Sequence, residues 1–213
     1  MTAKISTTHL TTILQDTRSR SLELVAGLDE EQLMGPHIAT VNPLRWEIGH
    51  VAYFYEFFIL RQMYGHESLL GAKADKLYDS IAVTHDTRWG LPLLSTSETL
   101  SYMRNVLDKL CEHLEQNNED SMASEQDSFM YQFGVFHEDM HTEAFTCARQ
   151  ILAYPTPGFA IAQDIRKRWQ SSHSQLTDAT KPTLLITGPG RVNNAEFRRL
   201  IDRRDNSPIN LAE

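Results

Sequence analysis

The sequence predicts an all-α fold: a four-helix bundle with a long loop between its second and third helices and a short irregular C-terminal extension. Three observations predict it. Apolar residues recur at three- and four-residue spacing in four stretches of this 213-residue chain. Helix-start and helix-stop residues bracket those stretches. Residues 65–94 then interrupt the periodicity, as a long crossover between bundle helices would.

Residues 7–28 set Leu10, Ile13, Leu14, Leu24 and Leu28 at helical spacing, the first amphipathic helix. Residues 29–33 add a short turn, and Gly35-Pro36-His37 reads as loop with His37 solvated. Asn42 before Pro43 predicts a second helix over 43–64, since the asparagine can cap an exposed amide and proline at the first helical position has no amide hydrogen to lose. Trp46, His50, Phe54 and Phe57 follow at three- and four-residue steps, and Val51, Tyr55, Phe58 and Ile59 cover other faces, so this helix is central. His50 then lies inside the bundle and needs a hydrogen-bond partner or a metal.

In the long loop Arg88 reads equally as half of a surface ion pair or as a contact for a substrate carboxylate, and His85 as a surface residue. Ser95 with Glu98 forms a capping-box pattern, and Leu100, Met103, Leu107, Leu110 and Leu114 continue it as a third helix that ends near Asn117-Asn118. An acidic connection covers 119–127. The fourth helix runs over 128–154 and stops at Pro155. Phe133, His137, His141 and Phe145 share its core-facing stripe, with Glu138, Asp139, Thr142 and Glu143 on other faces and one of them placed to orient a ligand. Beyond it, 161–175 reads as a short helix, 171–181 as a polar linker, 183–187 as a strand, 188–190 as a turn and 195–204 as a short helix. The expected division is a bundle over 1–170 with linker and tail over 171–213.

A formal net charge of -8 argues against nucleic acid or an anionic membrane as partner and leaves small molecules or proteins. The N-terminus has no apolar signal core, and the longest apolar run, Val51 to Leu60, is broken by Glu56, so a cytoplasmic protein without a membrane span is expected. Cys111 and Cys147 form no CxxC pair and read as small buried apolar side chains.

His137 and His141, four apart, face one spot from one side of a helix, and His50 can complete a set of three. Three protein ligands leave coordination positions open, which is the arrangement of catalytic sites. Three neutral imidazoles keep the full dipositive charge on the ion and favour anionic ligands, thiolates or ionised water. Zinc, iron(II) and nickel all fit that donor set.

Three segments carry a resemblance: Asn42-Pro43-Leu44-Arg45-Trp46-Glu47-Ile48-Gly49-His50, the loop Tyr78-Asp79-Ser80 with His85-Asp86-Thr87-Arg88-Trp89-Gly90-Leu91-Pro92-Leu93, and His137-Glu138-Asp139-Met140-His141. Over residues 8–160 the chain resembles the N-terminal DinB-like domain of the ergothioneine-type sulfoxide synthases and the related selenoneine synthases. The resemblance implies a four-helix bundle whose three histidines, matched by His50, His137 and His141, bind a non-haem iron(II). It implies oxygen-dependent joining of a thiol or selenol substrate to the imidazole C2 of a histidine betaine, trimethylhistidine, with Arg88 at the position of an arginine that binds the donor's carboxylate. Met140 departs from the family, which commonly has a substrate-reaching glutamine before the last histidine, and implies an altered betaine pocket or another substrate. The full enzymes also continue into a large domain resembling the formylglycine-generating enzyme, which supplies a catalytic tyrosine, and the residues after the linker are too few to form it. The expectation is therefore an iron-binding component that works with a separate chain carrying that domain. The alternatives are a self-sufficient zinc-dependent DinB-like thiol transferase and a non-catalytic relict or binding module.

Overall fold

Apolar stripes become helices where a cap can start them and a breaker can end them. The computed structural model describes residues 5–116 and 121–158. In chain order α1 spans Thr7–Val25, α2 Glu30–Met34, α3 Leu44–Tyr55, α4 Lys73–Tyr78, α5 Thr96–Glu115 and α6 Glu125–Ile151. Ser6 caps α1 by accepting from the His9 amide. The helix ends before Gly27, whose φ of 75° leaves the right-handed region, so it stops short of the predicted end at Leu28. Asp29 with Gln32 and Ser95 with Glu98 form complete capping boxes on α2 and α5. Ser124 caps α6, which starts earlier than its apolar stripe suggests.

Three expectations are corrected at the second long helix and the loop after it. Asn42 does not cap α3. Pro43 occupies the cap position without a side-chain hydrogen bond, and the Asn42 amide turns inward to Glu47 and Arg88. Past Tyr55 the helix widens into a π-helical segment, Glu56–Arg61, that carries the buried Glu56 against the Tyr102 hydroxyl and the Leu69 amide. The long loop is not free of helix: it contains α4 and a 3-10 turn, His85–Gly90.

Side-chain pairings fix the helix directions. Ile5 meets Ser128, Arg18 meets Glu138, and Arg149 meets the Leu24 carbonyl, so α1 and α6 run parallel. Glu56 with Tyr102 makes the end of α3 and the middle of α5 neighbours, and Tyr64 stacks on His113 further along, so these two also run parallel. Glu47 near His141 and Phe54 near Phe133 make α3 and α6 antiparallel. Parallel neighbours cannot be joined by a tight turn, and the chain between α3 and α5 returns along the bundle to bring Leu77 and Tyr78 back beside Trp46 and His50. Among the described residues no strand forms; a single antiparallel bridge pairs Ser6 with Met122.

Leu10, Leu14, Leu44, Trp46, Ile48, Tyr55, Ile59, Met103, Tyr131 and Phe145 fill the core. Two glycines set how closely its layers approach. A Cβ on Gly49 would overlap the Tyr78 ring, and one on Gly134 would overlap Tyr55, so α6 lies against α3 at a spacing only glycine permits. Gly134→Ala should cost about 1–3 kcal/mol, the usual range for overpacking, measured by urea denaturation. A change near zero would mean that the Tyr55 ring moves aside freely.

Three side chains sit where the sequence does not suggest. Cys111 is buried, but Cys147 is exposed. Phe133, expected on the core stripe, is 45% exposed and marks the edge at which the α6 face leaves the core. Glu138, a candidate to orient a ligand, is fully buried on the opposite side and bonds Arg18 and Ser21. The predicted helices at 161–175 and 195–204, the linker at 171–181, the strand at 183–187 and the turn at 188–190 lie outside the described residues, as do residues 117–120 of the connection after α5.

Candidate metal centre

α3 contributes His50 and α6 contributes His137 and His141, and their antiparallel packing through Gly134 brings the three rings together. One nitrogen from each lies within 4.8 Å of the other two. Ring centroids are 5.2 Å apart for His50 and His137, 5.0 Å for His50 and His141, and 4.7 Å for His137 and His141. His50 Nδ1 donates to the Tyr78 carbonyl at 2.8 Å, which leaves Nε2 as that ring's lone-pair atom. Trp46 stacks on the His50 ring at 4.9 Å and Phe54 on the His137 ring at 3.6 Å, fixing both planes.

The three imidazoles fit a metal on two counts. The Nδ1 atoms of His137 and His141 are buried with no hydrogen-bond partner, a costly condition for a polar atom that does not ligate or pair. Burial also holds His50 and His137 neutral. Burial lowers His50 to a pKa of about 4 against 6.5, despite the opposing hydrogen bond it donates to the Tyr78 carbonyl. Burial first, then His141 and His50, lowers His137 to about 2. Neutral imidazole is the ligating form.

A stability prediction follows for the metal-free protein. Both folded pKa values lie below the unfolded one, so as pH falls the unfolded chain takes up protons first. Stability is retained above pH 6.5 and lost below it, down through about 4 for His50 and about 2 for His137. By about pH 5 each histidine should have removed roughly 2 kcal/mol. Tm of the metal-free protein should therefore fall steadily between about pH 7 and 5, and a flat Tm there would mean that the rings are already reached by water.

Around the triad lies a polar chain that sequence reasoning missed. Glu47, its side chain 3% exposed, brings Oε1 to 3.5 Å from His141 Nδ1, a charge contact too long and ill-aligned for a hydrogen bond. Asn42 Nδ2 donates to Glu47 Oε1 at 2.9 Å, and Arg88 Nη1 donates to Asn42 Oδ1 at 2.6 Å. A signal for Glu47 was present: a carboxylate on a helix apolar almost all round must have a partner. Arg88 also donates to the Val83 carbonyl at 3.2 Å and lies 3.7 Å over the Trp46 ring, so guanidinium, indole and imidazole form one stack ending at His50. Burial lowers the Arg88 pKa and Glu47 opposes the shift.

Phe133, Phe136 and Met140 on α6 are 45%, 67% and 56% exposed and form an apolar rim beside His137 and His141. The structure thus brings His50, His137 and His141 to one point, places Arg88 two rings away from it, and leaves Met140 on the rim.

A family model described as the DinB superfamily matches residues 13–145, which include all three histidines. Hercynine oxygenase of Mycobacterium tuberculosis (strain ATCC 25618 / H37Rv) is 31% identical over 127 residues, 59% of this chain and 28% of that protein. Hercynine oxygenase of Mycolicibacterium smegmatis (strain ATCC 700084 / mc(2)155) is 27% identical over 139 residues, 65% of this chain and 31% of that protein. The same-named protein of Mycolicibacterium thermoresistibile is 29% identical over 131 residues, 61% of this chain and 28% of that protein. The chain spans less than a third of the length of these relatives. With a helical bundle of this topology and a family match over more than half of its length, the chain belongs to the DinB superfamily.

Proposed function

We propose that this chain is the iron(II)-binding, DinB-like part of an ergothioneine- or selenoneine-type synthase, supporting oxygen-dependent C–S or C–Se bond formation on trimethylhistidine. The observation that carries the reading is the convergence of three imidazole nitrogens within 4.8 Å of one another, on a helix that also carries an exposed apolar rim. The resemblance of three separate motifs to that family and the likeness to hercynine oxygenases support it. Bound iron(II) would supply oxygen activation and the one-electron chemistry that coupling a chalcogen to an aromatic carbon requires. The same donor set accepts zinc or nickel, and the ion is part of the test.

The chain's own residues account for binding and orientation. His50, His137 and His141 hold the ion, and the Tyr78 carbonyl fixes the proton of His50 on Nδ1. Phe133 and Phe136 offer aromatic faces suited to a quaternary ammonium, the group that distinguishes a histidine betaine from histidine. Met140 lines the same rim with a flexible apolar side chain. Arg88 offers a cation to the donor's carboxylate, and stacking on Trp46 ties its position to the His50 ring. An exposed aromatic rim around a candidate centre supports a covering partner, and we assign that role to a separate formylglycine-generating-enzyme-like chain. The proposed location is the cytoplasm, supported by two free cysteines; among the described residues no helix is long and apolar enough to cross a membrane.

Anaerobic loading should give one iron per chain, and calorimetry should then detect hercynine binding. Bond formation to a thiol should begin only when oxygen and the partner chain are both added. Zinc retained on isolation, thiol conjugation without oxygen and no hercynine binding would together overturn the reading in favour of a thiol transferase.

A further inference from the structure

We propose a second divalent-metal site, separate from the triad, formed by His37, His85 and Asp86 where the segment after α2 meets the 3-10 turn. Its class of ligand is a borderline transition ion such as zinc, held by two imidazoles and one carboxylate with solvent completing the sphere.

The argument begins with a proton. His85 Nε2 lies 2.8 Å from the Val41 carbonyl oxygen. A carbonyl only accepts, so Nε2 carries the hydrogen and Nδ1 of the neutral ring is a lone pair. That lone pair points to Asp86 Oδ1 at 3.1 Å, which is also an acceptor. Two acceptors at that distance repel unless a positive centre lies between them, either a proton on Nδ1 or a metal ion. A proton would join two atoms. Here a third donor reaches the same oxygen, His37 Nε2 at 3.5 Å, and one ligand atom from each of the three residues lies within 4.8 Å of the others. Donors on one tetrahedral zinc at bond lengths of about 2.0–2.2 Å stand roughly 3.3 Å apart, so the 3.1 and 3.5 Å separations suit a shared ion.

The surroundings hold this arrangement. Trp89 packs edge-on against His37 at 4.4 Å and against His85 at 5.1 Å, and its indole donates to the Gly35 carbonyl at 3.0 Å. The Asp86 side chain is 81% exposed, so an ion has access from solvent. Arg88 is on the same turn. An ion at the cluster would clasp the segment after α2 to the turn that holds the guanidinium over Trp46, making it a structural clamp on the loop side of the triad.

Calorimetric titration of the full chain with zinc tests the proposal by difference. His37→Ala and Asp86→Asn should each remove one zinc equivalent or weaken one binding step at least tenfold. Any other zinc-binding step should be unchanged in both variants, and their far-UV spectra should match the parent protein, since both positions are exposed. Zinc binding unchanged in both variants would overturn the proposal and leave a charged His85–Asp86 pair in its place. The readout does not depend on which ion the triad holds or on any turnover, so this proposal and the proposed function can fail separately.

Discussion

Glu138→Ala should lower the unfolding free energy by about 3–5 kcal/mol, among the largest single-site effects the bundle offers. The side chains of Arg18 and Glu138 are 4% and 1% exposed. Glu138 accepts from Arg18 Nε at 2.9 Å and Nη2 at 3.3 Å and from Ser21 Oγ at 2.7 Å, while Arg18 Nη1 donates to the Met103 carbonyl at 2.6 Å. One pair thereby ties α1, α5 and α6 at a single level. Burial works against the Arg18 charge, and the Glu138 carboxylate, with smaller contributions from Tyr55 and Cys111, more than offsets it. Without the carboxylate the guanidinium is left buried with no counter-charge. Replacing both partners, Arg18→Met with Glu138→Leu, should recover most of the loss, because an apolar pair carries no unpaired charge. Urea denaturation followed by circular dichroism measures both. A loss below about 1 kcal/mol for the single variant would mean that water reaches Arg18.

Metal affinity should fall furthest in His50→Ala, which removes one of three donors, and by about 10–100-fold in Glu47→Gln. Glu47 brings a carboxylate oxygen to 3.5 Å from His141 Nδ1. A buried carboxylate beside the ring favours a bound cation electrostatically; an amide keeps the shape and loses the charge. Competition with a chromophoric chelator gives both constants. Less than a threefold change in Glu47→Gln would reduce Glu47 to a buried partner of Asn42.

His50, His137 and His141 were legible in the sequence because each lies in a long helix whose apolar period fixes its direction. The period says which side of a helix faces inward and nothing about contacts between helices. Asn42 shows the limit: an Asn-Pro pair is a strong start signal, yet the asparagine is taken by Glu47 and Arg88, which a linear pattern cannot anticipate. Residues 73–78 are too short to show periodicity, and they form α4 because Trp46 and His50 bond the Leu77 and Tyr78 carbonyls. Phe133 failed for another reason, since an aromatic residue at the edge of a stripe reads the same whether it is covered or bare.

The parallel course of α1 and α6 bears on how the chain reaches its native state. Arg18 waits for a partner 120 positions downstream, and His50 cannot meet His137 before nearly the whole bundle has left the ribosome. Closing loops of that size delays the reward for ordering the first helix, so folding should be slow for a helical protein and strongly all-or-none. A nascent chain lacking α6 would hold a buried-type arginine and a lone histidine facing solvent, a species that chaperones would recognise as unfinished.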